Sequence, residues 1–187
     1  MRKLKVGLDI DDTVLYWFPE YLKRFGEPKN EHEVTKHVFR DLRYDRNFWL
    51  NLEPKHRPDF PVTLYCTKRV CNKAWSKRWI EDHDYPIAPV YQVFSQTKNK
   101  AHVIKELIDV FIDDSVSNFK AINLAGVPCL LMDAEHNRSW GPIGRVYSLN
   151  MSEIEEENDN DKNRDFKNST GKAWIKSAGF RDIHRCL

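Results

Sequence analysis

Two short apolar runs in this chain each end in adjacent carboxylates: VGLDIDD at residues 6–12 and VFIDD at residues 110–114. Side chains alternate along a strand, so Asp9 and Asp11 fall on one side of the first run. Like charges in a partly buried setting are costly unless a cation or a shifted proton compensates them. A hard divalent cation with oxygen ligands is the economical compensation. The expected ion is Mg²⁺, with Asp9, Asp11, Asp113 and Asp114 as candidate ligands. For this to work, the two runs must be strands whose carboxyl ends meet.

The runs at residues 5–10, 62–66, 90–94, 110–112 and 127–132 read as strands. Helical patterns lie between the later ones. Residues 72–83 carry Trp75 and Trp79 at i, i+4, residues 101–108 put Ala101, Ile104 and Ile108 on one face, and residues 116–125 stop at Gly126 with Pro128 beyond. This alternation predicts an α/β chain with five parallel, buried strands and a ligand site at their carboxyl ends. A length of 187 residues suits one such core, residues 1–14 with 62–150, rather than two equal domains.

Residues 15–61 exceed what a crossover needs and are expected to form a small helical cap. The cap segment carries ten aromatic residues. Most of them are needed for its own core, and Trp17, Phe48 and Trp49 are the candidates for stacking on a ligand. Residues 152–165, SEIEEENDNDKNRD, are acidic and nearly free of apolar side chains, so residues 151–187 are expected to be a polar linker and a basic C-terminal segment.

The formal net charge of +2 gives no field that would by itself mark a nucleic-acid binder. Apolar runs fall far short of a membrane span, and Asp9 interrupts the opening stretch before a secretion signal could develop. The four cysteines form no CxxC pair and no zinc-ligand spacing, which suggests reduced thiols and a cytoplasmic setting.

The second strand run ends in LYCTKR at residues 64–69, a hydroxyl followed by two cations, while Lys98 and Lys100 precede the helix leading to residues 110–114. These groups suit an anion. Thr67 and nearby backbone N–H groups can donate to phosphate oxygens, and a lysine at the same edge offsets the charge that opposes a carboxylate nucleophile. Lys100 is the first choice for that lysine and Lys98 the reserve. The expected chemistry is attack of Asp9 on a phosphoryl phosphorus. Asp11 protonates the departing alkoxide, then takes the proton of the water that hydrolyses the aspartyl-phosphate. The ion is expected on Asp9, the Asp11 carbonyl and Asp113, with Asp114 reaching it through water. Thr13, Lys68 and Arg69 are candidate substrate contacts.

DIDDT, LYCTKR, Lys100 and FIDDS stand in the order of the four motifs of the haloacid dehalogenase (HAD) superfamily, which this chain resembles. The resemblance implies a three-layer Rossmann-like core with a cap inserted after strand 1. The cap position, NFWLNLEP at 47–54, YCT at 65–67 and LLMDAEHN at 130–137 are similar to the 5′(3′)-deoxyribonucleotidases over residues 5–150. That narrower likeness implies a Mg²⁺-dependent phosphatase of nucleoside monophosphates, with the base held by cap aromatics. Asp12 stands where the superfamily has Gly, Thr13 where these nucleotidases have Val, and Lys68-Arg69 where the family has Ser-Pro. Two other readings stand beside it. One is a polynucleotide 3′-phosphatase, in which Lys68, Arg69, Lys73, Lys77 and Arg78 meet a longer phosphorylated chain. The other is a non-catalytic nucleotide- or phosphoprotein-binding protein, which would have no need for Asp11.

Overall fold

The computed structural model describes residues 2–94, 99–141 and 144–163. Six strands, β1 (Val6–Leu8), β2 (Leu64–Thr67), β3 (Val90–Gln92), β4 (Val110–Asp113), β5 (Cys129–Met132) and β6 (Arg145–Val146), form one parallel sheet in the order β3-β2-β1-β4-β5-β6. Five were expected. The sixth has only two residues and no apolar run, so periodicity could not mark it, yet Leu131 donates to the Gly144 carbonyl at 2.7 Å to hold it in place.

The helices are α1 (Phe18–Phe25), α2 (Glu31–His37), α3 (Arg46–Leu50), α4 (Lys73–Asp82), α5 (Ala101–Ile104), α6 (Val116–Leu124) and α7 (Met151–Asn163). Successive sheet residues serve opposite faces. Leu8, Tyr65, Ile112 and Leu130 join one buried cluster with Trp79, Ile80 and Ile154. Leu64, Phe111, Cys129 and Leu131 join the other with Ile104, Phe119 and Ile122. Helices therefore cover both faces, as a fully buried parallel sheet requires.

At Gly7 in β1, an added Cβ would stand 2.9 Å from Phe111 and 3.0 Å from Ile108, so only glycine lets this strand sit so close to those side chains. The thiols of Cys66, Cys71 and Cys129 are buried and unbridged. Among the described residues, no helix is long and apolar enough to cross a membrane.

Residues 15–61 hold α1, a turn, α2, a π-helical stretch over Val38–Leu42 and α3. Asn30 caps α2 by accepting from the Glu33 N–H at 3.0 Å, and Asp45 caps α3 by accepting from Phe48 N–H at 3.0 Å. This cap does not keep a separate core. Trp17, Tyr21, Val38, Leu42, Trp49 and Leu52 belong to the same apolar cluster as Val6, Leu8 and Ile10.

The acidic stretch expected to be a linker carries α7 through Asn163. Asn150 Oδ1 accepts from Ser152 N–H at 3.0 Å, the Glu153 carboxylate gathers the N–H groups of Tyr147 and Ser148, and Ile154 is fully buried. One well-placed apolar residue and a local cap outweigh a composition that reads as solvated. The basic segment over 166–187, with Cys186, lies outside the described residues.

Candidate active site

The sheet register builds the site. Leu8 pairs with Tyr65 on one side and Ile112 on the other, so the next residue, Asp9, stands level with Asp113, and Thr67 ends the neighbouring strand. The Asp9 N–H donates to the Ile112 carbonyl at 2.9 Å, which continues the ladder up to the point where the side chains turn to chemistry. Lys100 arrives just ahead of α5.

Lys100 Nζ lies 2.8 Å from Asp9 Oδ1 and 2.8 Å from Asp113 Oδ2, with all three residues buried. The Asp113 contact is a hydrogen bond, whereas the Asp9 contact is an ion pair in which Oδ1 accepts no hydrogen bond of good geometry. Asp113 Oδ1 also accepts from Ser115 N–H at 2.9 Å and Asn118 Nδ2 at 3.1 Å. Burial opposes the charge on Lys100, but Asp113 and Asp9 more than offset it and raise its pKa. Burial pushes the Asp9 carboxyl well above its ordinary range. Lys100 opposes that shift, while Asp113, Asp114 and Asp11 add to it.

Ligand atoms of Asp9, Asp113 and Asp114 all lie within 4.8 Å of one another. Three buried carboxylates, with Asp9 Oδ1 accepting no hydrogen bond among the described residues, form a hard-oxygen donor set that fits a divalent cation. A second set, Asp12, Asp114 and His136, shares Asp114 with the first. His136 Nε2 is 3.0 Å from Asp114 Oδ2, and the Asp114 carbonyl accepts from Asn137 Nδ2 at 2.7 Å.

Asp11 and Arg69 depart from expectation together. Arg69 is not an open substrate contact. It is 1% exposed, and its Nε and Nη2 donate to both Asp11 oxygens at 2.7–2.9 Å. Its guanidinium packs over the Trp49 ring at 5.0 Å and donates to Ser76 at 3.2 Å. Asp11 therefore sits outside the three-carboxylate set, although it still lines the cleft.

A small cleft of about 20 Å³ is lined by Asp9, Asp11, Thr67, Lys68, Lys100 and Asp114. The structure places these six candidate residues around one cleft. Thr13 is buried with no hydrogen bond to its hydroxyl and does not line this cleft. Trp17 and Trp49 are each 1% exposed inside the cap core, the first stacked on Tyr21 and the second donating from Nε1 to the Leu42 carbonyl at 2.7 Å. Neither offers a face to a ligand in this conformation. Phe48 is half-buried, edge-on to Trp49. Lys98 lies outside the described residues.

Sequence reasoning missed three residues. Asp12, in left-handed backbone at φ 51°, accepts from the Trp17 and Phe18 N–H groups, each at 3.0 Å, and so anchors the start of α1. Burial and then Asp114 push its carboxyl up to about 7, against His136. Lys55, where the cap rejoins the core, donates to the Asp12 carbonyl at 2.6 Å and the Asp133 carbonyl at 2.8 Å. His136 follows β5 on a 3₁₀ stretch, Glu135–Trp140. The signal for all three was position at the carboxyl edge of the sheet rather than a spacing.

No protein-family model matches this sequence, and no curated protein matches it. Among solved structures, the chain is similar to a hydrolase described as a haloacid dehalogenase-like family protein from Streptococcus pneumoniae. The TM-score is 0.45 and the identity 10%, over 82% of this chain and 90% of that one.

Proposed function

We propose that this chain is a phosphomonoester hydrolase of the HAD type that works through an aspartyl-phosphate on Asp9 and acts on nucleoside monophosphates. The observation that carries this reading is the buried Lys100 bridging Asp9 and Asp113 at 2.8 Å each, beside Asp114. A cation-balanced carboxylate at a strand end, with hydroxyl and ammonium groups facing the same cleft, suits in-line attack on phosphorus. Mg²⁺ on Asp9, Asp113 and Asp114 would supply charge neutralisation at the phosphoryl oxygens.

In the forward step an Asp9 oxygen forms a bond to phosphorus while the bond to the leaving oxygen breaks. Asp11 delivers the proton to that oxygen and later receives one from the attacking water, which returns Asp9 as free carboxylate and releases inorganic phosphate. Thr67 and Lys68 line the cleft where phosphoryl oxygens would lie, and Lys100 offsets their charge. The nucleotide preference rests on the sequence likeness of the cap and of residues 130–137.

A second reading, hydrolysis of a 3′-phosphate at a polynucleotide end, is favoured by Lys68 in the cleft wall and by exposed Lys73 and Lys77 one helical turn apart at the start of α4. The deciding assay compares nucleoside 5′- and 3′-monophosphates, sugar phosphates and an end-phosphorylated oligonucleotide, with and without Mg²⁺. The expected result is Mg²⁺-dependent phosphate release from monophosphates that Asp9→Asn abolishes. Near-wild-type turnover by Asp9→Asn would overturn the mechanism. A large oligonucleotide preference that weakens steeply with salt would overturn the substrate.

A further inference from the structure

On the far side of the sheet from the cleft, where β1, β4 and β5 begin, the chain forms a pocket of about 430 Å³. That volume falls within the range of small-ligand sites, roughly 300–1,000 Å³. Its walls come from four separate parts of the chain: the segment before β1, the turn between α5 and β4, the turn between α6 and β5, and α7.

The polar groups in it are unequal in number and unequally used. Asp109 is committed, since it pairs with Arg2 at 2.9 Å and accepts from the Lys5 N–H at 2.8 Å. Lys3 and Lys105 also line the pocket, and among the described residues neither makes an ion pair. Among the described residues, these two positive charges have no counter-charge within an ion-pair distance. Asn158 of α7 is 3% exposed and lines the same pocket, and its side-chain Oδ1 is buried and accepts no hydrogen bond among the described residues. A buried amide oxygen without a donor is rare in folded proteins and calls for an explanation. Between these groups, Leu4, Ile108, Val127 and Pro128 supply apolar surface.

We propose that this pocket binds a phosphorylated ring compound of nucleoside monophosphate size, independently of any reaction in the cleft. A phosphate monoester carries about −1.5 to −2 charge at pH 7, which matches the two unused lysines. The ring lies against the apolar floor, and its polar edge meets the Asn158 amide, which can present either oxygen or NH₂ by turning. The site is built on α7, the element that composition alone read as a linker.

The test follows backbone amides by ¹H–¹⁵N NMR in EDTA, with AMP, adenosine and inorganic phosphate as the probes. AMP is expected to shift the amides of Leu4, Gly126 and Val127 in a saturable way, and each of the other two probes is expected to do so far more weakly. The double variant Lys105→Gln/Asn158→Leu changes only one exposed side chain and one whose Oδ1 accepts no hydrogen bond among the described residues. It is expected to weaken the AMP response at Gly126 and Val127 about tenfold or more, while leaving shifts at Thr67 and Ser115 untouched. Silence of Leu4, Gly126 and Val127 at millimolar AMP overturns the proposal, as does equal affinity in the double variant. Adenosine binding as well as AMP removes the phosphate assignment, and phosphate binding as well as AMP removes the ring.

Discussion

The Arg69–Asp11 pair gives the sharpest quantitative test of the site. Arg69 has a side-chain exposure of 1% and Asp11 of 15%, so the pair is buried at one end and open to the cleft at the other. Removing one partner of a buried pair typically costs about 3–5 kcal/mol because the other charge is stranded. Asp11→Asn strands the guanidinium but keeps one acceptor for it, which places the cost near the lower limit, about 3 kcal/mol. Arg69→Met leaves Asp11 free to turn to cleft water, yet it forfeits the Trp49 contact and the Ser76 hydrogen bond, for a cost of about 2 kcal/mol. In the double variant the Asn has no charge to satisfy, so the total should stay close to that of Arg69→Met alone. The coupling energy is therefore expected near 2–3 kcal/mol.

Urea denaturation of the four proteins at pH 7 in EDTA measures this directly. In thermal terms, each kcal/mol is worth about 2–4 °C for a chain of this size. A buried pair is screened little by salt, so the coupling should persist at high NaCl. Costs that add to within about 0.5 kcal/mol would show that the two side chains do not act as a pair, and the geometry of the Asp11 clamp would be wrong.

The carboxylate cluster, the neck and the buried thiols each carry a further expectation. Mg²⁺ at about a hundred times its dissociation constant should stabilise the fold by about 2.7 kcal/mol, a rise of roughly 5–10 °C, and Asp113→Asn should erase the rise; a shift that survives removes the ion from this cluster. Lys55→Met deletes two hydrogen bonds to partly buried carbonyls and should cost about 2–3 kcal/mol while lowering kcat more than it raises KM, whereas loss of stability with unchanged kcat would make Lys55 purely structural. Burial raises the Cys66 thiol to about 12 and the Cys71 thiol to about 11, so at pH 8 their thiolate fractions are about one in ten thousand and one in a thousand. In a Cys186→Ser background, a thiol reagent should label the folded protein slowly and all three remaining thiols promptly in urea; rapid labelling of the folded protein would contradict their burial.

What the sequence made legible was whatever repeats or ends a run. The strand ends carrying Asp9, Thr67 and Asp113 were visible because an apolar stretch stops there and the chain must turn toward solvent. The merging of the edges was visible because parallel topology leaves no other place for four carboxylates. Arg69 was misjudged because sequence shows its charge but not its direction, and only the fold reveals that it turns inward to Asp11 beneath Trp49. The cap aromatics were over-read for a related reason. A cap of this size that shares the sheet's core needs Trp17 and Trp49 as packing, leaving them little freedom to meet a ligand. Strand β6 and helix α7 were missed because each depends on a partner far along the chain, Leu131 for the first and the sheet's buried face for the second, rather than on its own periodicity.

The cleft, at about 20 Å³, admits roughly one water, so a phosphorylated substrate must wait for the cap to move. The structure limits where it can move. The neck is tied twice through the backbone, Tyr16 N–H to the Glu53 carbonyl and Lys55 N–H to the Val14 carbonyl, both at 2.8 Å. On the α3 side, Trp79 Nε1 donates to the Leu52 carbonyl at 2.8 Å, and Arg69 holds Trp49. By contrast, α1 meets the core near the site through the edge contact of Phe18 with His136, at 6.5 Å between ring centroids, and through the Asp12 bonds to its first N–H groups. Opening by α1 and α2 about that anchor leaves the neck bonds and the Trp79–Leu52 bond intact, at the cost of the Arg24–Asp45 ion pair at 2.6 Å and of uncovering Tyr21, so it should be the lower-energy excursion. Native-state hydrogen exchange is then expected to show the Tyr21 and Gly26 amides of α1 exchanging through a lower-energy opening than Tyr16 and Lys55 at the neck. Equal opening energies at all four would mean that the cap moves only when the whole fold does, and substrate entry would need a different route.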